Sequence, residues 1–481
     1  MAQNYLISSP IKPTWPKKLD NKLIFCSESA ILSNDGDQNK YLKNSIINFR
    51  WKNKSLLISD IKYLDELFGK ILKILSKKLN KLHNKNQSLR FWKILIGPWL
   101  SLFIHVYFER WQNIKTVFNK HKIDRCIFLN LDENLFRAFD NREFKNLVNS
   151  DIWNQYLYQS IIKNFLSKKK IIYSKTNLKN QQKYLENAKA VFAEDNKKKK
   201  ISLKNLIFYS FNLFNRRNYE YFIYKPSLGF KNELELSNKL NQKPIFPIPD
   251  LKKSAFSNYQ KSRNDIKFLF KPKNLFEKEL HKMLINQIPS IFIENFNQLE
   301  HFSKNSNIPQ NPKIIFTSEA IWFDTKISYH VGKLVDKKSK LIIGQHGGAF
   351  GISKLHWPEK FEIGISDKFL SWGWNDKKEK KIKKFFILKN IKKKKLNQDK
   401  VLIMLKIRKR YFHSMESSSG TELYSDFIKN VSTFLFSLKN DIKTKTILRL
   451  PPNSNNFDNI DFYSNLENKF KFKNSDKINT A

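Results

Sequence analysis

A histidine flanked by glycines is the sharpest chemical feature of the sequence. The loop Gly344-Gln345-His346-Gly347-Gly348 directly follows the apolar triplet Leu341-Ile342-Ile343, which predicts a buried strand. Gly347 and Gly348 remove side-chain bulk and permit positive φ, so the backbone could approach a ligand closely. The loop amides and Gln345 could then hold a phosphate, and His346 could bind it or take a proton from an acceptor hydroxyl. The same residues also fit a tight turn with no chemical role.

A second polar group follows the preceding apolar triplet at 314–316. Thr317-Ser318-Glu319 should lie at the same edge as the histidine loop if the two strands are neighbours in a parallel sheet. Glu319 could then act as a base, and Ser318 as a hydroxyl ligand to a phosphate. The alternative is that Thr317 or Ser318 only caps the helix predicted at 320–334.

Arginine is scarce in this lysine-rich chain, so arginines after predicted strands suggest planar, bidentate recognition of phosphate. Arg408 and Arg449 are such residues, although surface ion pairs would explain them equally well. Asp35-Gly36-Asp37 has the carboxylate spacing of a metal-dependent transferase, but its neighbours are turn residues with no strand before them. We therefore predict that no metal and no cofactor is needed.

Composition narrows the class of protein. The 481 residues, 41% of them hydrophobic, can fill the cores of two or three domains. The net charge of +46 comes mainly from lysine in a chain also rich in Asn, Ile and Phe, as an AT-rich genome produces, so we predict no nucleic-acid partner. Such a charge still favours peripheral contact with an anionic membrane and attracts anionic substrates.

The remaining signals concern location. Cys26 and Cys126 are the only cysteines and show no metal-type spacing, which indicates a reducing compartment. Residues 1–15 contain two prolines and no continuous apolar core, so they do not resemble a signal peptide. The apolar stretch 94–108 is shorter than the roughly twenty residues that span a bilayer, and it predicts a buried helix. We expect a cytoplasmic protein, peripheral at the inner membrane.

The elements that must position these residues follow from periodicity. Amphipathic spacing predicts a helix over 58–82, and a second, more apolar helix covers 89–111. Strands are predicted at 23–26, 126–129, 401–405 and 446–448, whereas 168–312 gives no clear pattern. The strand, helix, strand series after residue 313 indicates parallel sheets of the α/β class.

Five segments resemble transferases encoded in leptospiral-type O-antigen and other surface-polysaccharide gene clusters. They occur in that family's order over most of the first 375 residues, and they are 88–100, 151–154, 317–320, 343–351 and 371–374. The resemblance implies a glycosyltransferase of the GT-B type, with two Rossmann-type domains. It further implies a nucleotide-sugar donor on the C-terminal domain, a lipid-linked saccharide acceptor on the N-terminal domain, and no metal requirement. The Gln345-His346-Gly347 loop is similar to loops near the reaction centre of transferases for CMP-linked acidic sugars or CDP-linked alcohols.

On this basis we expect a helix-rich acceptor-side α/β domain at 1–375, a lysine-rich linker at 376–398, and the start of a donor-binding domain at 399–481. Members of the family usually continue well beyond Arg449, so the second domain is expected to be truncated. Two alternatives therefore stay open beside glycosyl transfer. One is a degenerate transferase that serves as a binding or assembly subunit, and the other is transfer of a phospho-alcohol to a growing polymer.

Overall fold

The chain forms three α/β units in a computed structural model. The described residues are 3–17, 21–31, 45–47, 49–176, 179–183, 185, 217–245, 248, 251, 263, 266, 271–388, 400–404, 411–413, 415 and 424–449. The backbone alone is described at 45–46, 424–428 and 448–449. Asp35, Asp37 and Arg408 lie outside the described residues.

The first unit is a five-stranded parallel sheet with the order β3-β2-β1-β4-β5. Its central strands are apolar on both faces, and Leu6 of β1 lies opposite Ile24 of β2 and Cys126 of β4. The strand order reverses between β1 and β4, as in doubly wound sheets. The strands are β1 Asn4–Ile7, β2 Lys22–Phe25, β3 Ser45–Ile46, β4 Arg125–Leu129 and β5 Ile171–Ser174.

The helices with fully described bounds beside this sheet are α1 Lys54–His83, α2 Leu89–Lys120, α3 Asn141–Leu147 and α4 Asp151–Ile162. Helix α2 begins after Ser88, whose Oγ accepts a hydrogen bond from Phe91 N at 3.0 Å. By length and composition α2 could cross a membrane, but 89% of its most apolar window is buried inside the protein. It is therefore the central core helix that the sequence predicts.

The second unit is another five-stranded parallel sheet, and its order β10-β9-β8-β7-β6 follows the chain. Its strands are β6 Tyr221–Ile223, β7 Ile314–Thr317, β8 Lys340–Gly344, β9 Lys368–Trp372 and β10 Ile382–Phe385. Its helices are α5 Phe230–Lys239, α6 Leu275–Gln287, α7 Phe296–Asn305, α8 Ala320–Phe323, α9 Thr325–Asp336 and α10 Trp357–Ile365.

Helix α2 joins the two units. Near its start Arg90 Nε donates to the carbonyl oxygen of Ile365 in the second unit, at 2.9 Å. Near its other end the buried Arg110 Nε donates to Asn154 Oδ1 in the first unit, also at 2.9 Å. The helix thus fixes both sheets to one apolar core.

The third unit contains β11 Val401–Met404 and β12 Thr446–Arg449, which pair in parallel, with helices α11 Tyr424–Ser437 and α12 Asn440–Lys445. The segment at 411–413 returns to the first unit. Tyr411 Oη donates to Asp151 Oδ1 at 2.8 Å, and Arg110 Nη1 donates to the carbonyl oxygen of Phe412 at 3.1 Å.

The predicted strand pairing is confirmed, because β7 and β8 are parallel neighbours and residues 401–404 belong to a different sheet. Two expectations need correction. The stretch 376–398, expected to be a linker, contains β10, which pairs with β9. The region expected to be one α/β domain contains strands of two separate sheets, β1–β5 and β6–β10. The helix predicted at 320–334 is interrupted at Asp324, which leaves the helical conformation and accepts a hydrogen bond from Ile327 N at the start of α9.

Candidate active site at the carboxyl edge of the second sheet

The loop after β8 is held in place by Gln345. Its backbone N donates to Leu370 O, and its Oε1 accepts from Trp372 N and from Trp374 Nε1, all at 2.8 Å. Its Nε2 donates to the carbonyl oxygen of Gly347, also at 2.8 Å. The expectation that Gln345 binds substrate is therefore not supported by its contacts, since both ends of the buried amide stabilise the loop.

His346 pairs with an acid that the sequence did not single out. Its Nε2 lies 2.8 Å from Oε1 of Glu362 on α10, and the indole Nε1 of Trp322 donates to the same oxygen. The Glu362 side chain is only 1% exposed, against 18% for His346. Burial raises the pKa of Glu362, and the hydrogen bond from His346 opposes that rise. The pair can therefore exchange or stabilise a proton at this edge of the sheet.

Gly347 and Gly348 leave space beside the histidine. A methyl group added at Gly348 would meet no atom within 4 Å, and one at Gly347 would meet only the Phe350 ring at 3.8 Å. Neither glycine uses its freedom to adopt a positive φ. Among the described glycines, positive values occur at Gly229, Gly351 and Gly373, at 77°, 77° and 89°. The room beside the backbone remains available to a ligand.

The group after β7 lies at the same edge, as β7 and β8 are neighbours. Ser318 is buried, its Oγ donates to Pro226 O at 3.0 Å, and its N donates to Lys225 O at 3.2 Å. Ser318 thus anchors the loop after β6. It does not cap α8, which begins at Ala320 and whose N-cap residue, Glu319, makes no side-chain hydrogen bond to the helix. Glu319 is exposed at this edge.

The loop after β6 is conformationally strained. Lys225 and Ser227 have φ values of 47° and 63°, which residues other than glycine rarely adopt. The half-buried Lys225 places a cation two strands from the histidine loop, a separation of roughly 10 Å at ordinary strand spacing. Sequence reasoning missed it, although a lysine before Pro226 at a strand end is a recognisable signal.

Of the two arginines expected to bind phosphate, Arg408 lies outside the described residues. Arg449 is the last residue of β12, where only its backbone is described, and β12 pairs with β11. Among the described residues, no three His, Cys, Asp or Glu side chains come together as a metal site would require. Metal independence stays a prediction.

A cavity of about 490 Å³ lies beyond the carboxyl end of β4, between the segment that follows β4 and the end of α6. None of its lining residues belongs to the loop after β8. Arg137 lines it, with Nε donating to Asn286 O at 3.2 Å. The other lining residues are Leu131, Asp132, Glu133, Asn134, Arg263, Ile285 and Asn286.

Comparison with known families gives one match. The family described as LIC12162 family transferase matches residues 4–480. No curated protein and no solved structure matches the chain significantly.

Proposed function

The chain belongs to the LIC12162 family of transferases, and on that premise we propose that it transfers a sugar from a nucleotide-sugar donor to a lipid-linked acceptor of surface-polysaccharide synthesis. The observation that supports this most directly is the His346–Glu362 pair at the carboxyl edge of a parallel sheet. Ligands of such sheets bind beyond the carboxyl ends of the strands. Two parallel α/β sheets joined by a core helix also suit a GT-B-like enzyme.

The proposed reaction is a direct displacement at the anomeric carbon. The acceptor oxygen forms a bond to that carbon while the bond from the carbon to the nucleotide phosphate breaks. The acceptor proton passes to His346, and Glu362 stabilises the protonated ring across 2.8 Å. Because Nε2 faces Glu362, the proton would be received at Nδ1.

The leaving phosphate needs positive charge or amide donors. The open backbone at Gly347 and Gly348 can supply amides, and Lys225 can supply a cation from the loop after β6. Arg408 and Arg449 remain part of the proposal as further cations. The cavity between β4 and α6, lined by Arg137, offers polar groups for the saccharide acceptor.

The experiment is a transfer assay with a panel of nucleotide sugars and a lipid-linked acceptor extract. His346→Asn should lower turnover by about a hundredfold or more, the usual scale for an acid-base group. His301→Asn is the matched control, because His301 is exposed on α7. Turnover should persist in EDTA. Normal transfer by His346→Asn would show that this loop is only a structural turn.

A further inference from the structure

Three apolar side chains are exposed on the second unit and form what we name the apolar rim: Ile352, Phe386 and Ile387. They are 80%, 61% and 45% exposed. Single exposed apolar residues are common, but several that leave one edge of the same sheet indicate an interaction surface.

The rim lies at the same sheet edge as the histidine loop. Phe386 and Ile387 directly follow β10, which runs parallel to β9 and β8, so they leave the sheet at its carboxyl edge. The next residue, Leu388, is buried against Gly344, where an added methyl group would overlap its Cδ1. Ile352 follows Gly351, which packs against the Trp374 ring.

Three exposed lysines lie next to the apolar rim in the sequence. Lys383 and Lys384 precede it on β10, and Lys354 lies two residues after Ile352; all three are exposed. None of the three forms an ion pair with another residue in the part of the chain that the structure describes. The whole chain carries a net charge of +46. Exposed apolar groups bordered by lysine are suited to the interface of an anionic bilayer, where apolar side chains enter the acyl boundary and ammonium groups meet phosphates.

We propose that the apolar rim and its three lysines dock on a membrane of anionic phospholipid, with the carboxyl edge of the second sheet facing the bilayer. This arrangement would present His346 to an acceptor whose lipid remains in the membrane. The inference deepens the proposed function and rests on it for the lipid-linked acceptor. The docking itself depends only on the apolar rim and the three lysines, and not on the proposed transfer reaction.

Sedimentation of the full-length protein with lipid vesicles tests the docking. The wild type should bind vesicles that contain phosphatidylglycerol and bind vesicles of phosphatidylcholine alone much more weakly. The variant Ile352→Ser/Phe386→Ser/Ile387→Ser should bind the anionic vesicles at least about tenfold more weakly than the wild type. Lys383→Glu/Lys384→Glu should also weaken binding, most strongly at low salt.

The matched control is Ile58→Ser/Leu275→Ser, which removes two side chains that are 56% and 46% exposed outside the rim. It should bind vesicles as the wild type does. Equal binding by the rim variant and this control would overturn the proposal. The proposal would also be overturned if the wild-type protein did not bind anionic vesicles but dimerised through the apolar rim, because this surface would then be a protein interface.

Vesicle binding requires no donor, so the outcome is independent of catalysis. His346→Asn should bind vesicles normally, since the ring belongs to the site and not to the rim. Normal vesicle binding without transfer from any nucleotide sugar would retain the docking surface and reject the proposed reaction.

Discussion

Glu362 Oε1 accepts hydrogen bonds from both His346 Nε2, at 2.8 Å, and Trp322 Nε1. Its other oxygen, Oε2, is buried and has no partner among the described residues. A carboxyl group in this setting is costly to ionise, and burial raises its pKa. The acid is therefore better suited to support a charge on His346 than to stabilise the fold.

Glu362→Gln tests this role. The Gln amide oxygen can still accept from His346 and Trp322, but the negative charge is lost. We expect turnover to fall by about tenfold or more, and the acidic limb of the kcat/KM profile to move to lower pH because the protonated ring loses its counter-charge. The raised pKa of Glu362 favours folding fully below the carboxyl's ordinary pKa, and this contribution is lost as the pH rises through the raised pKa. Removing the charge should therefore not lower the free energy of unfolding at neutral pH.

Trp322→Phe is the control for the Glu362 prediction. It removes the second hydrogen-bond donor and keeps the carboxylate, so the pH profile should keep its shape. If Glu362→Gln and Trp322→Phe give the same profile, Glu362 has only a packing role.

Substitutions of two glycines in the histidine loop should have different effects, one on stability and the other on ligand binding. A methyl group at Gly344 would overlap Leu388 and lie 3.0 Å from Ser318 Oγ, so Gly344→Ala should lower the free energy of unfolding by about 1–3 kcal/mol. Gly348→Ala meets no atom and should change it by less than about 0.5 kcal/mol. If a phosphate approaches that backbone, Gly348→Ala should nevertheless weaken donor binding. Urea denaturation and donor titration measure the two effects separately.

The sequence predicts the inner strands β7 and β8 of the second sheet, but it does not predict the edge strands β6 and β10. Strands β7 and β8 are visible because apolar triplets must be buried on both faces. Strand β10 is Ile-Lys-Lys-Phe, and its lysines make the sequence indicate a linker, because an edge strand can carry lysines that face water. Strand β6 lies in the middle region, where its three residues carry no periodicity of their own.

The candidate site was predicted in part for a similar reason. His346 follows a strand that the pattern reveals, so its position at the sheet edge could be foreseen. Glu362 lies on α10 between the buried residues Phe361 and Ile363, and an acid within an apolar segment is its only local signal. Its contact with His346 depends on how α10 packs against β8, which periodicity does not specify.

Gln345 should behave as a structural residue, contrary to the expectation from sequence. Gln345→Ala removes the acceptor of Trp372 N and Trp374 Nε1 in a buried position. Leaving buried donors unpaired costs about 1–3 kcal/mol each, so the melting temperature should fall clearly. Gln298→Ala on α7 is the control, because Gln298 is half-buried and its side chain donates only to nearby Asn295 Oδ1 among the described residues. A variant with wild-type stability and weakened donor binding would restore Gln345 as a ligand-binding residue.

Two buried histidines should make the protein sensitive to acid. Burial lowers the pKa of His105 and of His330 to about 4 in each case. His330 Nε2 lies 2.8 Å from Pro309 O and Nδ1 lies 2.9 Å from Ser303 Oγ. The carbonyl needs a donor, so Nε2 carries the proton and Nδ1 accepts from Ser303. Lys333 Nζ, 3.4 Å from the same hydroxyl, adds a repulsive charge to a protonated ring.

Because both pKa values lie below that of an unfolded histidine, the unfolded chain binds more protons in acid, and stability falls as the pH decreases. Between pH 7 and pH 5 each histidine should cost about 2 kcal/mol of unfolding free energy. His330→Leu should lower the free energy of unfolding at neutral pH, because the hydrogen bonds of His330 are lost. Between pH 7 and pH 5, however, this variant should lose about 2 kcal/mol less stability than the wild type. The exposed His301→Leu should keep the wild-type slope. Urea denaturation across this pH range measures both effects. An unchanged slope in His330→Leu would mean that folding does not shift the pKa of His330.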